Sequence, residues 1–226
     1  MINWTEIDTV LLDMDGTLLD LHFDNHFWLH HLPKSYAAKH NVSEEEATTN
    51  LHAHIEKEKH TLNWYCLDYW TEALDINIVD LKREVMHLIE VRPHVEAFLQ
   101  QLQDTGKQVW LVTNAHPDSV DLKMEKTNID RLLGKIISSH EFDLPKESAL
   151  FWKRLQAREH FDPKRTLFID DTEVVLDAAQ QFGISNLLCI RQPDSKKDIR
   201  GQLGFPAIHH FDEIMPVATN QRKTSQ

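Results

Sequence analysis

Thr9-Val10-Leu11-Leu12-Asp13-Met14-Asp15-Gly16-Thr17 decides the reading of this 226-residue chain: an apolar run that ends abruptly in two carboxylates and a glycine. A short stretch without polar alternation is what a strand covered on both faces of a parallel sheet looks like. The pattern recurs twice. Val109-Trp110-Leu111-Val112 runs into Thr113-Asn114, and Thr166-Leu167-Phe168-Ile169 runs into Asp170-Asp171. Further strands are expected at 135–139 and 186–190, with a short last one near 207–210. Between them lie helical patterns. Val95, Phe98, Leu99 and Leu102 share one face, with Pro93 ahead and Gly106 behind; Val175, Ala178, Ala179 and Phe182 repeat that spacing between Thr172 and Gly183. A helix is also expected within 147–159. Alternating strands and helices predict an α/β fold: a Rossmann-like parallel sheet with helices on both faces, binding ligand beyond the carboxyl ends of its strands.

Residues 20–91 interrupt the alternation with four helix-like segments and no strand pattern. We read them as an inserted all-helical subdomain with a small core of its own, and 1–19 with 92–226 as the α/β core. Within the insertion, Ser43 and Glu46 have capping-box spacing, and Ile78, Leu81, Val85 and Leu88 form one apolar stripe. The segment after Pro216 has little to bury and is expected to fray.

The composition narrows the partners. A formal net charge of −12 disfavours a nucleic-acid backbone as ligand, while small phosphate esters remain open because local cations outweigh a distant field. Cys66 and Cys189 are the only cysteines and have no C-x-x-C spacing, so neither a zinc knuckle nor a disulfide framework is indicated. No basic leader precedes the first apolar run, which Asp13 and Asp15 cut short; the expectation is a cytoplasmic protein without a membrane span. Oligomeric state is not legible.

The chemistry follows from what the strand ends carry. Asp13 and Asp15 sit two residues apart on a rigid support, so that one can attack phosphorus while the other handles protons. A carboxylate attacks an anionic phosphate only if a cation offsets their repulsion, and Asp170 with Asp171 supplies further hard oxygen ligands; magnesium is the expected cofactor. The Thr113 hydroxyl or the Asn114 amide offers donors to phosphate oxygens, and Lys146, after Pro145, brings a positive charge.

These segments resemble the haloacid dehalogenase-like hydrolase superfamily. Asp13-Met14-Asp15-Gly16-Thr17 looks like its first motif, Leu111-Val112-Thr113-Asn114 its second, Pro145-Lys146-Glu147 its third, and Phe168-Ile169-Asp170-Asp171-Thr172-Glu173 its fourth. The resemblance implies Asp13 as nucleophile, Asp15 as general acid then base, and Thr113 with Lys146 as phosphate binders. It implies magnesium on the Asp13 carboxylate, the Asp15 carbonyl and Asp171, with Asp170 supporting directly or through water. The insertion resembles the family's helical cap. More narrowly, residues 11–20, 60–70 and 113–117 are similar to the bacterial GMP/IMP nucleotidases of that superfamily, which implies a purine 5′-nucleotidase.

Blander readings stand beside these. An isolated D-x-D-G is more often a turn, but here Thr113, Lys146 and two more acids follow strands in the same chain. Eight of the 15 histidines lie between His22 and His60, and the i, i+4 pair His26 and His30 is assigned no metal, since no H-E-x-x-H surrounds it. Trp64, Tyr65, Tyr69 and Trp70 are placed mainly in the core, with a purine contact as the alternative. Competing functions are a sugar-phosphate phosphatase or phosphomutase, a dehalogenase, which would not need Asp15, and a phospho-aspartate receiver module, which would not need the insertion.

Overall fold

The computed structural model describes residues 2–218. Six strands form one wholly parallel sheet: β1 (Thr9–Leu12), β2 (Gln108–Thr113), β3 (Lys135–Ser138), β4 (Thr166–Asp170), β5 (Asn186–Ile190) and β6 (Ala207–Ile208), in the order β3-β2-β1-β4-β5-β6. This is a Rossmann-like order. The chain leaves β1 towards β2 and β3 and then returns to β4 on the other side of β1, so the connections diverge beyond the carboxyl ends of β1 and β4, where such folds open a crevice.

The helices are α1 (His22–His26), α2 (Leu32–His40), α3 (Glu44–Glu58), α4 (Leu62–Tyr65), α5 (Leu67–Leu74), α6 (Ile78–Glu84), α7 (Val95–Asp104), α8 (Pro117–Thr127), α9 (Ala149–Arg158) and α10 (Glu173–Phe182). A π-helical turn, Phe27–His31, joins α1 to α2 in one continuous run. Alternation along each strand divides the core in two. Val10, Leu12, Leu167 and Ile169 belong to one apolar cluster with Phe98, Leu99 and Leu102 of α7; Leu11, Trp110 and Phe168 belong to the other, with Phe151, Trp152 and Leu155 of α9 and Val175 and Ala179 of α10.

Several expectations change. The insertion has five α-helices after β1 when the run from His22 to His40 is taken as one, not four, because the extended residue Cys66 splits α4 from α5. Its core is not separate: Phe23, Phe27, Leu51, Trp70 and Ile78 join the same buried cluster as Val10, Leu12, Val120 and Met124. Burial of an apolar face is non-directional, so the insertion helices use the nearest apolar surface, that of α8 and the sheet. Ser43 caps α3 by accepting from the Glu46 N–H at 3.1 Å, without a reciprocal bond from Glu46. The Ile78 stripe outlasts its α-helix: α6 stops at Glu84, and Leu88 lies in a 3-10 turn. Helix α8, assigned no element from the sequence, starts with Pro117 at its first position and interrupts its apolar face with buried Lys123. The expected last strand is only Ala207–Ile208, and positions 219–226 of the tail lie outside the described residues. Among the described residues no helix is long and apolar enough to cross a membrane.

The two chain crossings at the ends of residues 20–91 pair with each other. Leu19 bridges Val91, the Asp20 N–H donates to Glu90 O at 2.9 Å, and the Arg92 N–H donates to Leu18 O at 3.0 Å. Buried Arg92 also donates to the carbonyls of Pro193 at 3.2 Å and His209 at 2.8 Å, anchoring the crossing to the β5–β6 side.

Candidate active site

Register sets the site. Leu12 lies opposite Leu111 and Ile169, so Asp13 emerges level with Asp170, and Thr113 follows one residue further along the neighbouring strand β2. The Asp13 N–H continues the ladder by donating to Ile169 O at 3.0 Å. After it the backbone folds into a tight loop in which the N–H groups of Leu18 and Leu19 both donate to Met14 O, at 3.0 and 2.8 Å. Gly16 has φ +83°, and a Cβ there would stand 2.8 Å from the Asp171 carboxylate, so only glycine lets the two acidic loops approach this closely.

Lys146 enters from the loop before α9 with its amine fully enclosed. Its Nζ donates to Asp13 Oδ1 at 2.5 Å, Asp170 Oδ2 at 2.7 Å and Val112 O at 3.0 Å. Its backbone is fixed at both ends: the N–H donates to Asn114 Oδ1 at 2.8 Å, and the carbonyl accepts from Trp152 Nε1 at 2.9 Å. Burial alone would lower its pKa, but Asp13 and Asp170 outweigh burial and raise it, so Lys146 is a permanent cation here.

One cation does not neutralise the acids around it. Carboxylate oxygens of Asp13, Asp170 and Asp171 lie within 4.8 Å of one another. Burial pushes Asp13 up to about 6 despite Lys146, with Asp170 adding to the effect. Asp170 is likewise raised to about 6, by burial against the pull of Lys146. Asp171 reaches about 7 through burial and the Asp13 charge. A buried all-oxygen cluster with surplus negative charge is the donor set a hard divalent cation requires.

Asp15 points elsewhere. Its Oδ1 accepts from Lys123 Nζ of α8 at 2.6 Å, and the same ammonium donates to Asp24 Oδ2 of α1 at 2.7 Å. Asp24 Oδ1 in turn accepts from Lys82 Nζ of α6 at 2.8 Å. The two lysines are 1% and 2% exposed, whereas Asp15 keeps 23% of its side-chain surface open. Burial raises Asp15 to about 6 against the opposing Lys123, with Asp24 and Asp13 adding. Asp24 moves the other way: Lys123 and Lys82 overcome burial and hold it ionised. Asp13 and Asp15, two residues apart, thus belong to separate hydrogen-bond networks, Lys146 holding one and Lys123 the other.

Thr113 and Asn114 play unequal parts. The Thr113 hydroxyl accepts from the Ala115 N–H at 3.0 Å and retains its own proton for donation. Asn114 spends its side chain on scaffolding: besides receiving the Lys146 N–H, its Nδ2 donates to Glu147 Oε2 at 2.9 Å. Glu147 Oε1 accepts from Tyr65 OH of α4 at 2.7 Å. The free amide pictured from the sequence is therefore already engaged.

Above these groups lies a cavity of about 430 Å³, walled on one side by Asp13, Asp15, Thr113 and Lys146 and on the other by Trp28, Ile55, Trp64 and Trp70, with Lys59 and His60 also in its lining. The aromatic segment divides its labour. Trp70 is buried and donates Nε1 to Trp64 O at 3.0 Å, while Tyr69 does not line the cavity and bonds Glu58 and His54. The rings of His26 and His30 stand 5.6 Å apart along one helix face.

The sequence reading missed Lys123, Asp24 and Lys82 as parts of this site; it named Tyr65 only as a core residue or purine contact and Glu147 only within the third motif, not as hydrogen-bond partners of each other. A buried lysine on an amphipathic helix reads as a solvated one; the local signal was only that Lys123 is flanked by Leu122 and Met124.

Residues 7–183 match the protein family described as haloacid dehalogenase-like hydrolase. Over 215 residues the chain is 41% identical to a GMP/IMP nucleotidase, YrfG, of Escherichia coli (strain K12), covering 95% of this chain and 97% of the relative; the same protein from Shigella flexneri matches equally. Among solved structures, a HAD phosphatase from Thermococcus onnurineus aligns with a TM-score of 0.75 at 19% identity, over 92% of this chain and 96% of that one. The L-2-haloacid dehalogenase from Xanthobacter autotrophicus aligns at 0.59 with 15% identity, over 84% and 80%. At such identities the structural likeness bears on the fold.

Proposed function

Because this chain belongs to the haloacid dehalogenase-like hydrolases, we propose that it is a magnesium-dependent phosphatase that hydrolyses purine nucleoside 5′-monophosphates, GMP and IMP foremost. The observation that carries the chemistry is the separation of the two carboxylates. Asp13 is fixed beside Lys146 and the acidic cluster, and Asp15 faces the cavity from a different network, with a pKa near 6. Two acids with different partners can serve as nucleophile and proton carrier at neutral pH. The substrate class rests on the full-length similarity to a GMP/IMP nucleotidase and on a cavity with aromatic walls.

Asp13 attacks phosphorus, and the bond to the 5′-oxygen breaks as Asp15 gives that oxygen its proton. The phosphoryl group then resides on an Asp13 carboxylate oxygen. Asp15, now ionised, removes a proton from water; the water oxygen bonds to phosphorus, inorganic phosphate leaves, and both aspartates are restored. Lys146 offsets charge on Asp13 and the phosphoryl oxygens, and the Thr113 hydroxyl donates to one of those oxygens. Magnesium, held by the Asp13 carboxylate, the Asp15 carbonyl and Asp171, with Asp170 in support, would supply the remaining charge neutralisation. Residues 20–91 act as a cap whose Trp28, Trp64 and Trp70 exclude water from this chemistry. The compartment we assign is the cytoplasm.

The test is phosphate release with magnesium across nucleoside 5′-monophosphates and sugar phosphates, with Asp13→Asn as the blank. Selective turnover of GMP and IMP that disappears in the variant is expected. Preference for sugar phosphates would overturn the substrate assignment, and activity retained in Asp13→Asn would overturn the nucleophile.

A further inference from the structure

Beside the cavity, where the insertion meets the core, donor atoms of Cys66, His116 and His140 lie within 4.8 Å of one another. The three come from separate elements. Cys66 is the extended residue between α4 and α5, His116 caps α8, and His140 sits in the 3-10 turn after β3. A hydrogen bond from Ser138 Oγ to Ala115 O at 2.7 Å holds the two core loops together. Asp68, in the first turn of α5, brings a carboxylate oxygen to 3.5 Å from His116 Nε2.

Both imidazoles can turn a ring nitrogen to a metal, His140 without giving up any hydrogen bond. The ring of His140 bonds the Asn114 backbone, and its buried Nε2 has no hydrogen-bond partner among the described residues. Burial and the neighbouring His116 keep that ring neutral by lowering its pKa. His116 Nδ1 accepts from the Asp118 N–H at 3.4 Å, so Nε2 carries the ring proton and turns it to Asp68; a metal at Nε2 would displace that proton to Nδ1, which has Asp118 Oδ2 at 3.7 Å. A carboxylate behind a ligating histidine orients the ring and raises its basicity. The His116 and His140 rings themselves stand 5.1 Å apart.

We propose that Cys66, His116, His140 and Asp68 form a second metal site, distinct from the carboxylate cluster, that takes a borderline-soft divalent ion of the zinc class. Cys66, His116 and His140 supply one thiolate and two imidazoles, and a side-chain rotation of exposed Asp68, whose oxygen clusters with His116 and Asp118, would add a carboxylate as fourth ligand, so that two negative charges balance the dication. Sulfur and nitrogen donors select this class over magnesium, which prefers oxygen alone. On binding, Cys66 gives its thiol proton to solvent as the metal–sulfur bond forms, with no change of oxidation state. Cys66 and Asp68 belong to the insertion and His116 and His140 to the core, so the ion ties the two together at the cavity wall and slows turnover.

The experiment titrates cobalt(II), then zinc(II), into the reduced full-length protein with magnesium in excess. The expected result is one equivalent of cobalt with thiolate-to-metal charge-transfer absorption, displaced by zinc. Cys66→Ser should abolish that band and weaken zinc binding by about 100-fold, the upper end of what even an outer partner contributes, while magnesium-dependent phosphate release is retained. His140→Gln provides a second variant that keeps the thiol and should weaken zinc comparably. Zinc should inhibit the native protein and not Cys66→Ser. Cobalt bound without a thiolate band, or zinc inhibition unchanged in Cys66→Ser, would place the ion at the carboxylates and overturn the proposal.

Discussion

Replacing Lys123 with methionine keeps the length of the side chain and removes its charge, and the structure indicates what that costs. The ammonium makes two charge-assisted hydrogen bonds, 2.6 Å to Asp15 and 2.7 Å to Asp24, with 1% of its side chain exposed. Asp24 would keep Lys82, whereas Asp15 would lose its cationic partner and the contact that aims it at the cavity. A hydrogen bond to a charged group contributes about 1.5–3 kcal/mol, which corresponds to roughly 10- to 150-fold in rate if it serves to hold the proton donor in line. That falls mostly below the range of about 10²–10⁴ attributed to general acid catalysis itself, as expected when the acid is misaligned and not removed.

The assay compares kcat/KM for a nucleoside 5′-monophosphate with that for p-nitrophenyl phosphate. This ratio reports the steps up to departure of the leaving group: an alkoxide needs the proton of Asp15, and a nitrophenolate does not. Lys123→Met should lose the full factor on the nucleotide and no more than about threefold on the aryl ester. Asp24→Asn, one bond further out, should show the same asymmetry at smaller size. The variant should also be less stable, by about 3 kcal/mol for a broken buried pair, so both rates are taken below its unfolding transition. Equal losses on both esters would mean that Lys123 merely supports the fold and would refute the positioning argument.

Three further outcomes follow from the same site. Asp13, Asp170 and Asp171 have folded-state values of about 6, 6 and 7, above the ordinary 3.8, so between about pH 4 and pH 7 these three groups bind more protons in the metal-free fold than in the unfolded chain and contribute stability that is lost as pH rises. The metal-free Tm should fall as pH rises through that window, and magnesium should raise Tm more at pH 7.5 than at pH 5; a flat difference in thermal melts would contradict the assigned cluster. Gly16→Ala would force a Cβ to 2.8 Å from Asp171 Cγ and 2.9 Å from Pro193 Cβ at φ +83°, and should raise the magnesium needed for half-maximal activity roughly tenfold, measured by metal titration. Tyr65→Phe removes the 2.7 Å bond to Glu147 behind Asn114 and Lys146, and should lower kcat/KM about fivefold, the equivalent of ~1 kcal/mol, for both esters alike.

Which residues were legible depends on how each acquires its role. Asp13, Thr113 and Asp170 take theirs from a parallel register, and the register is written locally: three short apolar runs, each stopping at a polar residue, must align if all three are buried. The parallel sheet and most of its crossover helices were readable for the same reason. Asp24 and Lys123 are 99 positions apart, and Lys123 and Asp15 108 apart; no local pattern carries such a contact. Worse, the lysine disguises its own helix, because a buried cation on the inner face breaks the apolar periodicity by which α8 would be recognised.

The same reasoning explains why the insertion was misjudged energetically though its helical character was plain. Helical patterns declare an apolar stripe without declaring its partner, and the stripe of α6 and the run from His22 to His40 found α8 and the sheet instead of one another alone. Fusing the two cores has a chemical consequence. Asp24 reaches Lys123, and through it Asp15, only because α1 is packed against α8; Tyr65 reaches Glu147, and through Asn114 the Lys146 loop, only because α4 lies over the strand ends. Both acids of the proposed reaction are thus linked to the insertion by hydrogen bonds, the nucleophile by way of Lys146 and the proton carrier by way of Lys123. A displacement of the insertion therefore disturbs the orientation of the catalytic groups as well as the shape of the cavity, which is how a surface that selects substrates can also govern their rate of reaction.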